Sequence, residues 1–294
     1  MGTGRPGLGR ADGLGVRVAY VGLGNMGAPM AQNAQRAGHD VAVFDVRADA
    51  LTPLTDGGAR PAGSAADAAT DVDVVCVTVL DGSQVDAAMS GPDGVFAGAA
   101  PDTVVAVHST VHPDTIHAIA DQAPAGVEVL DAPISGGVKG ARDATLCVMV
   151  GGPTAAFERA RPVFDAVGDL VLHLGDRGAG LAAKLARNLV GYVTMLAAQE
   201  GRQLAAAAGT DLEQLNQILD HTGALSPMMR DLLSVPGGDA VYSDNVAPLV
   251  ALATKDLQVT VAFADQLGVD LPGAALTLDR VAFSFGVRDP DADA

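Results

Sequence analysis

Positive charge is scarce in this chain. Eighteen Lys and Arg residues face 35 Asp and Glu, for a formal charge of −17. Such a surface is repelled by nucleic acid and by anionic membranes, so neither is expected as a partner. An anionic ligand would have to be met by local backbone donors and a few placed cations. Lysine is scarcer still, with only Lys139, Lys184 and Lys255, so arginine carries the surface charge and a lysine is not filler. Cysteine is limited to Cys76 and Cys147, both in apolar runs, which favours buried reduced thiols in a cytoplasmic protein. No stretch approaches the ~20 apolar residues of a membrane span. The Gly- and Arg-rich start, 1–15, lacks the apolar core of a secretory signal and is expected to be a flexible extension. The six histidines lack metal-ligand spacing, so no metal site is expected, and there is no internal repeat.

What is present is length and apolar content: 294 residues, 49% hydrophobic, enough for two domains. Short β-branched runs at 16–21, 41–44, 72–79, 103–107, 127–130, 146–150 and 170–174 alternate with Ala-rich helical segments. That alternation predicts βαβ units and a mainly parallel sheet over 16–176. Ser64, with Asp67 three residues on, reads as a helix N-cap. Beyond 177 the strands stop. Residues 181–208 form a nearly uninterrupted helical stretch, roughly 40 Å if straight. Further helices are expected at 211–220 (opened by Thr210 with Glu213), 227–233, 245–267 and 272–285. The second domain, 177–294, is therefore all-α, and a long apolar helix needs cover, which points to a homodimer or homotetramer.

The pattern G-x-G-x-x-G occurs twice. At Gly2, Gly4 and Gly7 no strand precedes it and no helix follows, so it is set aside. The second, Gly22, Leu23, Gly24, Asn25, Met26 and Gly27, leaves a strand and opens a helix. Gly22 permits the tight turn, Gly24 lets backbone approach a pyrophosphate, and Gly27 lets helix and strand pack closely, with phosphates at the positive end of the helix. Asp45 ends the second strand at the expected interval and can accept both ribose hydroxyls of NAD. A 2′-phosphate would meet like charge there, although Arg47 could pair with it; NAD is favoured over NADP.

Four segments together, Val21 to Met30, Asp131-Ala-Pro-Ile-Ser-Gly-Gly137, Gly178 to Asn188 and Lys255-Asp-Leu257, resemble the β-hydroxyacid dehydrogenase family, which includes 3-hydroxyisobutyrate dehydrogenase and tartronate semialdehyde reductase. The resemblance implies a Rossmann-type doubly wound parallel sheet followed by an all-α domain, with the active site in the cleft. It implies hydride exchange between NAD(P) and a small 3-hydroxy acid or semialdehyde. Ser135, Gly136 and Gly137 would hold the substrate carboxylate, Lys184 would be the acid/base, and Asn188 would orient the hydroxyl. Lys255 would line the cleft near substrate and nicotinamide, Ser109 and Thr110 would stand beside the nicotinamide, and Leu80 would lie in the loop near the adenosine.

Taken without the family, these residues keep plainer readings beside the functional ones. Consecutive glycines at 136 and 137 suit an anion nest or an ordinary loop. Lys184 and Asn188 are i and i+4 on one helical face amid apolar neighbours. A buried ammonium there loses hydration, which lowers its pKa toward a range useful for proton exchange; the plain alternative is a lysine reaching out at a domain rim. Lys255 is followed by Asp256, a ready local ion pair. The chain departs from the family at His108, where Asp is common, at Arg187 in place of a second Asn, at Ala144 and at Asp81. Rival readings are an imine reductase-like NADPH enzyme, which Lys184 argues against, and a non-catalytic dinucleotide-binding regulator. Side chains such as Met228, Met229 and Tyr192 are candidates for the substrate pocket.

Overall fold

The computed structural model describes residues 15–224 and 246–287. Residues 1–14 of the expected extension, the helix expected at 227–233, and Met228 and Met229 lie outside the described residues. In chain order come β1 (Arg17–Val21), α1 (Gly27–Arg36), β2 (Asp40–Phe44), α2 (Thr52–Thr55), β3 (Arg60–Pro61), α3 (Ala65–Ala69) and β4 (Val74–Val77). Then follow α4 (Gly82–Met89), α5 (Val95–Gly98), β5 (Val104–Val107), α6 (Pro113–Asp121) and β6 (Glu128–Asp131). These six strands form one sheet in the order β3-β2-β1-β4-β5-β6, every pairing parallel. It is the doubly wound Rossmann sheet.

Helices cover both faces, so the inner strands bury both sides and their sequences show no polar alternation. Val18, Tyr20, Val74, Cys76, Val104 and Ala106 face one core, with Met30 and Ala34 of α1. Ala19, Val21, Val75, Val77, Val105 and Val107 face the other, with Val85, Met89, Ile116 and Ile119. The Ser64 hydroxyl accepts the Asp67 N–H at 3.0 Å and caps α3 as expected.

Past Pro133 the chain leaves this sheet. β7 (Ile134–Ser135), α7 (Gly137–Asp143), β8 (Leu146–Val150), α8 (Thr154–Asp165) and β9 (Gly168–His173) follow. The runs near 146–150 and 170–174 are strands, but they build a second, three-stranded sheet, β7-β8-β9, in which β7 and β8 are antiparallel. The two-residue β7, invisible to periodicity, gives β8 its antiparallel partner. Cys76 is buried, whereas Cys147 is only half-buried, short of the expectation for both.

α9 (Ala179–Ala207) runs 29 residues, straight through Gly191 and Gly201. α10 (Leu212–His221) is capped by Asp211, whose carboxylate accepts the Glu213 and Gln214 N–H groups; the expected Thr210 sits one residue too early. α11 (Ala247–Leu267) follows. The single helix expected over 272–285 is instead α12 (Pro272–Asp279) and α13 (Val281–Ser284), broken where Arg280 adopts φ −108°. By length and composition α11 could cross a membrane, contrary to the expectation that no stretch would qualify. It carries Lys255, Asp256 and Asp265, and buries Ala253, Asp256 and Leu257. The chain divides into two compact units, Met1–Lys184 and Leu185–Ala294, the division falling within α9.

Candidate active site

The glycine turn after β1 has a separate physical reason at each position. Gly22 has φ +93°, a region side chains rarely adopt. A Cβ on Gly27 would collide with the Gly22 carbonyl oxygen and the Thr78 hydroxyl, so helix and strand pack this closely only without one. Gly24 is the opposite case: nothing lies within 4 Å of where its Cβ would be. The open space lies where α1 begins, and the first turn of α1 holds no acidic residue. The turn thus fits the pyrophosphate of a dinucleotide.

Asp45 closes the turn. Its carboxylate accepts the Leu23 N–H at 2.7 Å on one oxygen, and the Arg47 N–H at 2.9 Å and Nε at 3.3 Å on the other. Burial pushes the Asp45 carboxyl up, but the bonds from Leu23 and Arg47 outweigh it and hold it below the usual carboxylate range. Leu80 is exposed, its N–H donating to Gln84 Oε1. Asp81, one of the departures, caps α4 by accepting the Gln84 N–H.

At the carboxyl end of β5, the Ser109 hydroxyl donates to Val79 O at 2.6 Å, and Thr110 follows half-buried. His108 is buried, with Nδ1 bonded to Ala132 O at 2.7 Å and the ring edge-on to Phe164. Burial pulls its pKa down to about 4, so it is a neutral imidazole. An aspartate here could not donate to that carbonyl.

Ser135 ends β7, and Gly136 and Gly137 follow with φ of 135° and 64°. Lys184 is 9% exposed, and its ammonium donates to Ile134 O at 2.7 Å, the residue just before Ser135. The structure therefore brings Lys184 to the Ser135–Gly137 segment.

Asn188 lies one turn further along α9 and is 3% exposed. Its Nδ2 donates to Asp256 Oδ2 at 2.8 Å, and its Oδ1 accepts Arg187 Nη1 at 3.1 Å. The Tyr192 hydroxyl donates to the same Asp256 oxygen at 3.0 Å, and Lys255 Nζ lies 2.8 Å from Oδ1. The local ion pair weighed for Lys255 is present. Burial, then the charge of Asp256 and its bond, raise the Tyr192 pKa. Asp256, read from the sequence as an ion-pair partner of Lys255, and Asp131, read only as the start of a motif, were given no place among the site residues. Asp131 follows the apolar pair Val129 and Leu130, and Asp256 precedes Leu257 in a largely apolar helix, which is a signal because carboxylates are rarely buried without partners. Among the described residues no His, Cys, Asp and Glu cluster suits a metal ion.

Two family models match. One, the NAD binding domain of 6-phosphogluconate dehydrogenase, covers residues 17–175. The other, NAD-binding of NADP-dependent 3-hydroxyisobutyrate dehydrogenase, covers 178–293. The chain is 36% identical to a 3-hydroxyisobutyrate dehydrogenase of Pseudomonas aeruginosa, across 88% of this chain and 89% of that one. It is 42% identical to an NAD-dependent L-serine dehydrogenase of the same organism, across 69% and 68%. Among solved structures, a Mycobacterium tuberculosis 3-hydroxyisobutyrate dehydrogenase with L-serine is similar at a TM-score of 0.79 and 32% identity, across 94% and 97%.

Proposed function

The chain belongs to the β-hydroxyacid dehydrogenase family, as an NAD(P)-dependent oxidoreductase acting on the CH–OH group of small hydroxy acids, and from that premise we propose that Lys184 is its acid/base. In oxidation, neutral Lys184 takes the proton of the substrate hydroxyl as hydride leaves the same carbon; in reduction, the ammonium returns a proton to the forming alkoxide. The nicotinamide, when bound, supplies the hydride acceptor or donor. Gly22, Leu23, Gly24, Asn25, Met26 and Gly27 receive the pyrophosphate, and Asp45 with Arg47 faces the adenosine ribose. The Asp45 carboxylate favours NAD, since a 2′-phosphate would meet like charge. Leu80, Ser109 and Thr110 complete the cofactor set. Ser135, Gly136 and Gly137 anchor the substrate carboxylate, Asn188 orients the hydroxyl, and Lys255 flanks substrate and nicotinamide.

The observation that carries this reading is the buried Lys184 ammonium, bonded to the carbonyl next to Ser135 in a chain with three lysines. The test is nicotinamide absorbance with NAD and NADP against a panel that includes 3-hydroxyisobutyrate and L-serine. Lys184→Ala is expected to bind dinucleotide normally and lose about two to four decades of turnover. Wild-type turnover in that variant would refute the assignment. The exposed Val190, Leu204, Ile218 and Leu276 support a homodimer or homotetramer, read by sedimentation, and two cysteines that form no disulfide with each other support a cytoplasmic setting.

A further inference from the structure

The segment leading from β6 to Ser135 starts with Asp131, which has no exposed surface. Its carboxylate accepts two main-chain N–H groups, Gly178 N at 2.7 Å on Oδ1 and Leu181 N at 2.8 Å on Oδ2. These are donors at the amino end of α9, where helical N–H groups have no partner within the helix. A negative charge there also complements the helix dipole. The first turn of α9 contains no acid of its own, so its cap comes from a strand about fifty residues earlier. Glycine keeps room for it: a Cβ on Gly180 would stand 2.9 Å from Oδ2. A second tie runs the other way, from Lys184 Nζ to Ile134 O. Leu181 to Asp131 and Lys184 to Ile134 are thus two clamps, three residues apart on both strands of the ring they close.

We propose that Asp131 is a positioning residue for Lys184. Its carboxylate pins the first turn of α9 to the 131–135 segment and so sets where the Lys184 ammonium stands against Ser135, Gly136 and Gly137. The inference rests on Lys184 being the acid/base. Two acceptor oxygens are required, one for each N–H. An amide of the same shape supplies one acceptor and turns its NH2 toward the other N–H.

That difference defines the experiment. Asp131→Asn, Lys184→Ala and the wild type are compared with the panel acid that the wild type oxidises, measuring kcat, KM and dinucleotide Kd. The expectation for Asp131→Asn is a kcat about 10- to 100-fold lower, with KM and Kd within about twofold, because the acid/base is displaced while both ligands still bind. A space-filling role would leave the isosteric Asn at wild-type kcat, and that result overturns the inference. So does a parallel fall in kcat and dinucleotide affinity, which would mean general loosening. Should the Asn variant not fold, Asp131→Ser, which retains one acceptor, is read by the same criteria. If neither folds, Asp131 is a folding residue and the inference fails. Undiminished turnover in Lys184→Ala sinks the functional reading itself; an inactive Lys184→Ala beside a normal Asp131→Asn sinks only this one.

Discussion

The two units satisfy their buried polar side chains in different ways. In the nucleotide unit the partners are main chain: Asp45 takes Leu23 N, Ser109 gives to Val79 O, His108 meets Ala132 O, and Lys184 gives to Ile134 O. In the helical unit Asn188, Tyr192 and Lys255 converge on the Asp256 carboxylate, and Arg202 meets the Asn216 side chain. Strand ends and loops have spare N–H and C=O groups. Inside a helix those groups are already bonded to each other, so amides and acids must find one another, while hydroxyls such as Thr260 fold back onto their own helix. A side-chain network then stands or falls together, whereas a backbone partner is bound into its own element.

The contrast is sharpest at Asp256. Asp256→Ala strands Asn188 and Tyr192 without an acceptor and is expected to cost about 3–5 kcal/mol, read by denaturant unfolding. Combining Asp256→Asn with Tyr192→Phe should depart from additivity by about 0.5–3 kcal/mol. Strictly additive losses would break the claim that these residues act as a unit.

His108 probes the nucleotide unit. Burial lowers its pKa from 6.5 to about 4, partly opposed by the bond to Ala132 O. The unfolded chain therefore binds this proton first as pH falls. The contribution is complete above about pH 6.5 and is lost on the way down to about 4, by about 3 kcal/mol. His108→Asn, whose NH2 can still donate to the carbonyl, should flatten that part of a melting-temperature profile. An unchanged slope would place the acid sensitivity elsewhere.

The smallest effects separate two glycines of one turn. Gly27→Ala forces a methyl onto the Gly22 carbonyl and should cost about 1–3 kcal/mol even without ligand. Gly24→Ala meets open space, so stability should hold while dinucleotide affinity, followed by nicotinamide fluorescence, falls. Equal thermal losses for both would remove the distinction.

Those glycines were legible in the sequence because their reasons are local, a turn and a close approach within one βα unit. The strand–helix alternation was legible for the same reason, through side-chain periodicity. Which neighbouring residue caps α10 was not, since Thr210 and Asp211 are both good caps and only the backbone places Asp211 at the helix start. Nor was the second sheet, whose first strand is two residues long.

By itself the amino-acid order determined most of the elements, their succession and the glycine turn after β1, all governed by interactions within a few residues. Only the tertiary structure decided the partners of the buried charges. Asp131 meets donors 47 and 50 residues away, and Asp256 meets groups 68 and 64 residues away. A carboxylate taken out of water must find compensating donors wherever the folded chain brings them, and nothing in its own neighbourhood says where that is.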